Sequence, residues 1–82
     1  MEEKMTLSNA IRKRITELAK EKGISINMVA TLAGIPHTTL LAFMNYTSND
    51  PRATTLLHIC EAFEIELKEF FNAPVFKEVI DE

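Results

Sequence analysis

Residues 23–45 read GISINMVATLAGIPHTTLLAFMN, and this stretch decides the fold. Ser25 is a good N-cap, because its side-chain oxygen can accept a hydrogen bond from a first-turn N–H. The apolar positions that follow at helical spacing are Met28, Val29 and Leu32. Gly34 breaks this segment, and Pro36 suits the start of a new helix, where its missing N–H is not needed. The stretch therefore predicts two short helices joined by a tight turn.

The second of these helices, predicted over residues 36–44, presents two different faces. Leu40 and Phe43 fall on one side and are expected in the core. The other side consists of His37, Thr38, Leu41 and Ala42. No Asp, Glu, Lys or Arg occurs from residue 23 to residue 49, so this outward face is uncharged.

The flanking segments also read as helices. A first helix is expected to start after Ser8 as N-cap and to stop at Gly23. Its apolar stripe lies on one face, and Arg12 and Lys13 lie on other faces. Residues 45–51 (NYTSNDP) are a loop signal, and a fourth helix follows over residues 52–63. The expected core positions of that helix include Leu56, Ile59 and Phe63. A fifth short helix holds Leu67, Phe70 and Phe71, and residues 75–82 add an amphipathic turn or two. Without repeats or strand patterns, the chain is predicted to be all-α with five short helices.

Length and charge limit the possible functions. The 82 residues are expected to form one domain, with a core over about residues 7–71 and a short extension over residues 72–82. The net charge is −3, but the charges are unevenly distributed along the chain. Residues 1–22 hold six basic and four acidic side chains, whereas residues 53–82 hold two basic and seven acidic side chains. A single cysteine, Cys60, fits a reducing cytoplasm. No apolar run approaches the roughly 18 residues of a membrane span.

Catalytic and metal chemistry find no support in the pattern. His58 and Cys60 are two apart in a predicted helix and point in different directions, whereas metal ligands must share a face. His37 has no second ligand or paired carboxylate near it in sequence. No nucleophile–base set and no phosphate-cradling glycine loop appears. We therefore expect no enzyme, no metal and no cofactor.

Two short helices around a glycine turn have helix-turn-helix spacing, and here the chain resembles the phage-repressor-like helix-turn-helix domains of the Cro/repressor (Xre) type. The family pattern has a Ser-capped helix, an Ala at its fifth residue, a turn Gly and an apolar residue after it. Ser25, Ala30, Gly34 and Ile35 stand at those positions. A loop ending at Pro51 and the run TLLHICEAFEIELKEFF, residues 55–71, complete the resemblance.

The resemblance implies a set of DNA contacts. The base-contacting positions early in the third helix are His37, Thr38, Leu41 and Ala42. The phosphate-contacting positions are Ser25, Asn27, Thr39, Asn45, Thr47, Ser48, Asn49 and Arg52. The chain departs from the family at Ile26, where Gln or Arg is common, and at Tyr46 and Glu64, where Gly is common and a positive φ is implied.

These residue types predict an unusual readout. Thr, Leu and Ala can contact thymine methyl groups, and His37 can donate to guanine or to a phosphate. None of them makes a bidentate contact, so we expect a moderately selective site that leans towards A·T pairs. Helix N-termini and neutral side chains can bind phosphates. Flanking charge would come from Lys4, Arg12, Lys13 and Arg52, which predicts a shallow salt dependence.

The expected function is a cytoplasmic transcriptional regulator, a repressor that binds double-stranded DNA through the third helix. Such proteins usually bind as C2 dimers, so a homodimer is expected. The C-terminal apolar side chains serve either core closure or a dimer interface; they are Phe70, Phe71, Val75, Phe76 and Val79. The alternative is a protein-interaction module, such as an antitoxin-like or accessory factor, whose uncharged third helix binds a protein partner.

Overall fold

A computed structural model describes residues 5–48 and 50–80, which fold into five α-helices and one 3₁₀ helix. The helices are α1 (Leu7–Lys22), α2 (Ile26–Ala33), α3 (His37–Met44), α4 (Ala53–Phe63), α5 (Leu67–Phe71) and the 3₁₀ helix (Pro74–Glu78). No sheet forms among these residues, although an isolated parallel bridge that the sequence did not indicate joins Met5 to Val79. None of the described helices is long and apolar enough to cross a membrane. The prediction of an all-α fold with five helices is confirmed.

The ends of α1 and α2 are set by side-chain caps and glycines. The prediction of Ser8 as the cap of α1 is wrong: Thr6 is the N-cap, and its side chain accepts a hydrogen bond from the Asn9 N–H at 3.2 Å. Thr6 can act as the cap in place of Ser8 because its side chain has the same kind of hydroxyl, three residues before an N–H that has no partner within the helix. Gly23 ends the helix in the left-handed region at φ 70°, as predicted, since glycine has no Cβ to clash there.

One core lies where the first four helices meet and α5 closes them. Its largest fully buried side chains include Phe70, Ile15, Leu40, Ile59 and Val29. The predicted core positions Leu40, Phe43, Ile59 and Phe63 are buried, and Leu56 packs against the edge of the core. Of the three apolar positions at helical spacing in α2, Met28 and Leu32 are exposed. The inward stripe of α2 is instead made by Val29, Ala30 and Ala33, whose small alanines allow the helices to approach closely.

Two non-glycine residues adopt the left-handed conformation. Tyr46 has φ 67° and Glu64 has φ 61°, which confirms the positive φ expected at both positions. Glu64 is the C-cap of α4, and the turn it makes lets Ile65 donate its N–H to the Cys60 carbonyl at 3.0 Å and return to the core. Such a conformation costs free energy for any residue with a Cβ.

Arg14 fastens the C-terminal part of the chain to α1, a role that the sequence did not indicate. Its Nε donates to the Phe70 carbonyl at 2.7 Å and its Nη2 to the Glu69 carbonyl at 2.8 Å. These carbonyls lie at the negative end of α5, where a cation is favoured. Phe70 and Val75 are buried, so these two serve core closure, whereas Phe71 is exposed.

Candidate nucleic-acid interface

The turn between α2 and α3 is built from the residues that predicted it. Ser25 caps α2 by accepting a hydrogen bond from the Met28 N–H at 3.1 Å. Gly34 ends α2 at φ 70°, and the Ile35 N–H then bonds the Ala30 carbonyl at 3.1 Å. Pro36 is the N-cap of α3 and makes no side-chain cap bond. The geometry fixes α3 against α2 and leaves the first turn of α3 at the surface.

The outward face of α3 has the composition predicted for it. Leu40 and Phe43 are buried, while His37, Thr38 and Thr39 are exposed. Leu41 keeps 37% of its surface exposed, and Ala42 is half-buried. The four predicted base-contacting residues therefore share a solvent-facing surface of α3 that carries a hydroxyl, an imidazole and two apolar side chains but no formal charge.

Thr31 of α2 belongs to the same surface, although sequence reasoning did not single it out. Its Oγ1 lies 2.8 Å from His37 Nε2 and also donates to the Asn27 carbonyl at 3.2 Å. This contact bridges the last turns of α2 and the first turn of α3. No sequence signal reveals it, because the six-residue separation is brought into contact only by the angle of the intervening turn.

The predicted phosphate-contacting residues lie at the start of α2, on α3, in the loop that follows α3 and at the N-cap of α4. The exposed members are Ser25, Asn27, Thr39, Asn45, Thr47, Ser48 and Arg52. Three of them, Thr39, Ser48 and Arg52, line one cleft of about 160 Å³ between α3, the following loop and the start of α4. Ile26, the departure at the start of α2, is half-buried against the core. Asn49 lies outside the described residues.

The expectation that Arg12 adds charge to a DNA-binding surface is wrong, because Arg12 is buried. It is only 4% exposed. Its Nε donates to the Phe43 carbonyl at 2.6 Å and its Nη1 to Asn9 Oδ1 at 2.6 Å, while its Nη2 donates to the Ser48 carbonyl at 2.9 Å. Its guanidinium also lies 4.5 Å from the centre of the Phe43 ring and 4.2 Å from that of Tyr46. Arg12 therefore fastens the end of α3 and the following loop to α1.

Arg12 gives Tyr46 a contact that the glycine implied at this position by the family resemblance could not make. A glycine would adopt φ 67° without strain, but it would leave one side of the guanidinium uncovered. The Tyr46 ring supplies a cation–π contact that compensates the strained backbone. The loop after α3 thus depends on a side chain of α1.

Few basic side chains remain close to α3 after this correction. Lys13 and Arg52 are exposed, and Lys13 lines an open groove together with Met44 and Tyr46 at the end of α3. Lys4 lies outside the described residues. Arg14 and Lys22 are engaged elsewhere, the latter with Glu64 at 3.2 Å.

His58 and Cys60, the other two residues considered as possible metal ligands, lie in different surroundings. His58 is exposed, and its Nδ1 lies 3.3 Å from Glu61 Oε1. Cys60 is buried, and this burial raises the pKa of its thiol. Within residues 5–48 and 50–80, no three His, Cys, Asp or Glu side chains come together as a metal site.

Comparison with known proteins gives two similarities. Residues 14–74 match the Cro/C1-type HTH DNA-binding domain. The crystal structure of the prophage Lp1 protein 11 aligns with a TM-score of 0.78 and 32% sequence identity, over 90% of this chain and 97% of that chain. No curated protein matches the chain. The family match covers the second half of α1 and all of α2 to α5.

Proposed function

We propose that this chain, which belongs to the family of Cro/C1-type helix-turn-helix DNA-binding domains, acts as one domain that represses transcription by occupying a specific duplex sequence. The observation that carries this is the solvent-facing surface of α3, where His37, Thr38 and Leu41 are held outward by the burial of Leu40 and Phe43. A helix presented in this way fits the major groove. The proposed place of action is the cytoplasm.

The side chains on this surface favour a readout weighted to thymine. Leu41 and Ala42 supply apolar contact for the thymine methyl, and Thr38 can do the same or form a hydrogen bond. Bidentate contacts give about 1–3 kcal/mol of discrimination each, and this surface has none. Specificity would therefore rest partly on DNA shape, with A·T-rich half-sites preferred.

Phosphate binding would depend mainly on neutral groups. The N-termini of α2 and α3 offer backbone N–H groups, and the exposed Ser, Thr and Asn side chains around α3 add donors. With Arg12 withdrawn into the fold, Lys13 and Arg52 supply the flanking charge on the described surface. Two neutralised phosphates correspond to a log–log salt slope of about −2 per subunit. A slope as steep as −5 per subunit would contradict this arrangement.

Selection from a random duplex pool at low salt tests the function. We expect enrichment of a palindrome with A·T-rich half-sites, because helix-turn-helix domains usually bind as two-fold dimers. Leu41→Ala should change the base preference of the selected site. Leu57→Ala is the matched control, since Leu57 of α4 is similarly exposed at 42% but lies outside α3. Equal effects of both substitutions, or no enrichment from a folded protein, would reject reading by α3.

The homodimer is part of the proposal, and the exposed apolar side chains near the C-terminus support it. Leu67 and Phe71 of α5 and Ile80 are exposed although the neighbouring Phe70 is buried. Sedimentation measures the association directly. A monomeric mass at tens of micromolar, well above the concentrations of specific DNA binding, would reject a dimer that forms before DNA is bound.

A protein-interaction module is the second candidate, and the exposed Met28, Leu32 and Leu41 on α2 and α3 favour it. Exposed apolar side chains on an uncharged surface are typical of protein contacts. Retention on heparin at low salt separates the candidates, since DNA binding requires attraction to a polyanion. Failure to bind heparin, together with no selected duplex, would favour a protein partner for α3.

A further inference from the structure

Thr31 and His37 form a hydrogen-bonded pair, and one arrangement of protons satisfies both contacts of the Thr31 hydroxyl. The Thr31 hydroxyl has a single proton, and Oγ1 lies near two groups, the Asn27 carbonyl at 3.2 Å and His37 Nε2 at 2.8 Å. A carbonyl only accepts, so the hydroxyl proton must go to Asn27 if both bonds are to form. Oγ1 then accepts a proton from His37, which places that proton on Nε2.

We propose that Thr31 is a positioning residue that holds the neutral His37 imidazole in the Nε2–H tautomer and turns Nδ1, an acceptor, towards DNA. No group among residues 5–48 and 50–80 hydrogen-bonds Nδ1, and the side chain is exposed. The part of this inference that concerns base reading rests on the proposed function. The tautomer itself does not.

The tautomer determines which base His37 reads. Adenine N6 and cytosine N4 carry amino donors in the major groove, whereas the edge of guanine presents the acceptors N7 and O6. An imidazole that offers Nδ1 as acceptor bonds the amino groups and is repelled by the guanine edge. This reverses the expectation from residue type alone, in which His37 donates to guanine.

His58 provides an internal reference with the opposite tautomer. Its Nδ1 lies 3.3 Å from Glu61 Oε1, and an ionised carboxylate only accepts. The neutral His58 ring therefore carries its proton on Nδ1. The two histidines of one chain are thus expected to give opposite patterns of imidazole nitrogen signals.

Nitrogen NMR of the ¹⁵N-labelled free protein tests the tautomer, in mildly alkaline buffer where imidazoles are neutral. We expect the Nε2–H pattern for His37 and the Nδ1–H pattern for His58. Thr31→Val removes the hydroxyl at nearly constant shape and should give His37 a mixture of tautomers. Thr16→Val is the matched control, because exposed Thr16 makes the same kind of bond, to the Arg12 carbonyl at 3.0 Å, on another helix. An Nδ1–H pattern for His37, or no change in Thr31→Val, overturns the proposal.

Duplex selection with the same variants tests the reading. The wild type should prefer A or C over G at the base that His37→Ala stops selecting. Thr31→Val should weaken that preference about three- to tenfold, the range for one neutral hydrogen bond, and Thr16→Val should leave it unchanged. Selection of G by the wild type overturns the acceptor role. If no duplex is enriched, base recognition by His37 is rejected together with the proposed function. The NMR patterns still determine the tautomer of His37 in the free protein.

Discussion

Replacing Arg12 should damage the fold and leave the charge of the DNA surface unchanged. Arg12→Met keeps most of the side-chain length and removes the guanidinium, while Arg12→Lys keeps the charge and removes the planar fork. A single ammonium cannot reach the Phe43 carbonyl, Asn9 and the Ser48 carbonyl together, as the guanidinium does. We therefore expect both variants to be destabilised, with only a small advantage for Lys.

The magnitude follows from the contacts. Hydrogen bonds from a charged donor contribute about 1.5–3 kcal/mol each, and desolvation of the buried charge cancels several kcal/mol of their sum. Two of the three acceptors are not left without a partner, because the Phe43 carbonyl also accepts from the Tyr46 N–H at 3.2 Å and Ser48 is exposed to water. The net loss is about 2–4 kcal/mol, which corresponds to a melting temperature lower by on the order of 10–20 °C.

Urea unfolding followed by circular dichroism measures this loss, and Lys13→Met is the matched control. Lys13 is the exposed neighbour of Arg12, so its replacement should change the unfolding free energy by less than about 0.5 kcal/mol. The same pair should behave oppositely on DNA: Lys13→Met should reduce the salt slope by about one unit, and folded Arg12→Met should keep it. A stability loss under about 1 kcal/mol for Arg12→Met, or a reduced salt slope in that variant, would contradict a structural role for Arg12. It would indicate instead that Arg12 contacts DNA phosphates.

Three further predictions concern the rest of the fold. Arg14→Met should lower the unfolding free energy by about 1–2 kcal/mol, because it removes both hydrogen bonds to α5; no change in urea unfolding would contradict the clamp. Glu64→Gly should stabilise the protein by up to about 1 kcal/mol by relieving strain at φ 61°, whereas Tyr46→Gly should cost about 1 kcal/mol because it also loses the ring against Arg12. Equal gains in thermal melts of both variants would refute that distinction. Burial raises the pKa of the Cys60 thiol above its ordinary value of 9.0, so alkaline pH ionises the unfolded chain first and stability should fall as the pH rises past 9.0. Cys60→Ala should lack this component of the decline, and identical pH profiles of unfolding free energy would contradict it.

The sequence predicted the helices and the turn well, because their signals are local. Gly23 and Gly34 stand where a left-handed residue must end a helix, and Ser25 caps where it was expected. The exposed face of α3 was also correct, since alternation of Leu40 and Phe43 with polar positions fixes which side is buried. Whether those exposed residues touch DNA remains a prediction of the sequence.

What the sequence missed depends on contacts between distant segments. Arg12 looked like a surface charge because a helical pattern shows only that it lies off the apolar stripe. Two of its three acceptors are 31 and 36 residues further along the chain. Arg14 was missed for the same reason. The apolar spacing of α2 also did not show that Met28 and Leu32 are exposed and that Ala30 and Ala33 are buried.

The two arginines also explain how a short chain can hold the uncharged helix α3 in place. Both lie on α1 and both donate to carbonyls at or near helix C-termini, Arg12 at the end of α3 and Arg14 at the end of α5. Short helices are marginal alone, so α3 and α5 need such attachments to keep their positions. Arg12 and Arg14 therefore stabilise the domain and are not available to bind phosphates. Because Arg12 contacts the end of α3 and the pair of Thr31 and His37 links its start to α2, we expect the outward face of α3 to be held rigidly although it has no charge of its own. A rigid surface loses little entropy on binding, and this compensates in part for the weak electrostatic attraction that the proposed function must accept.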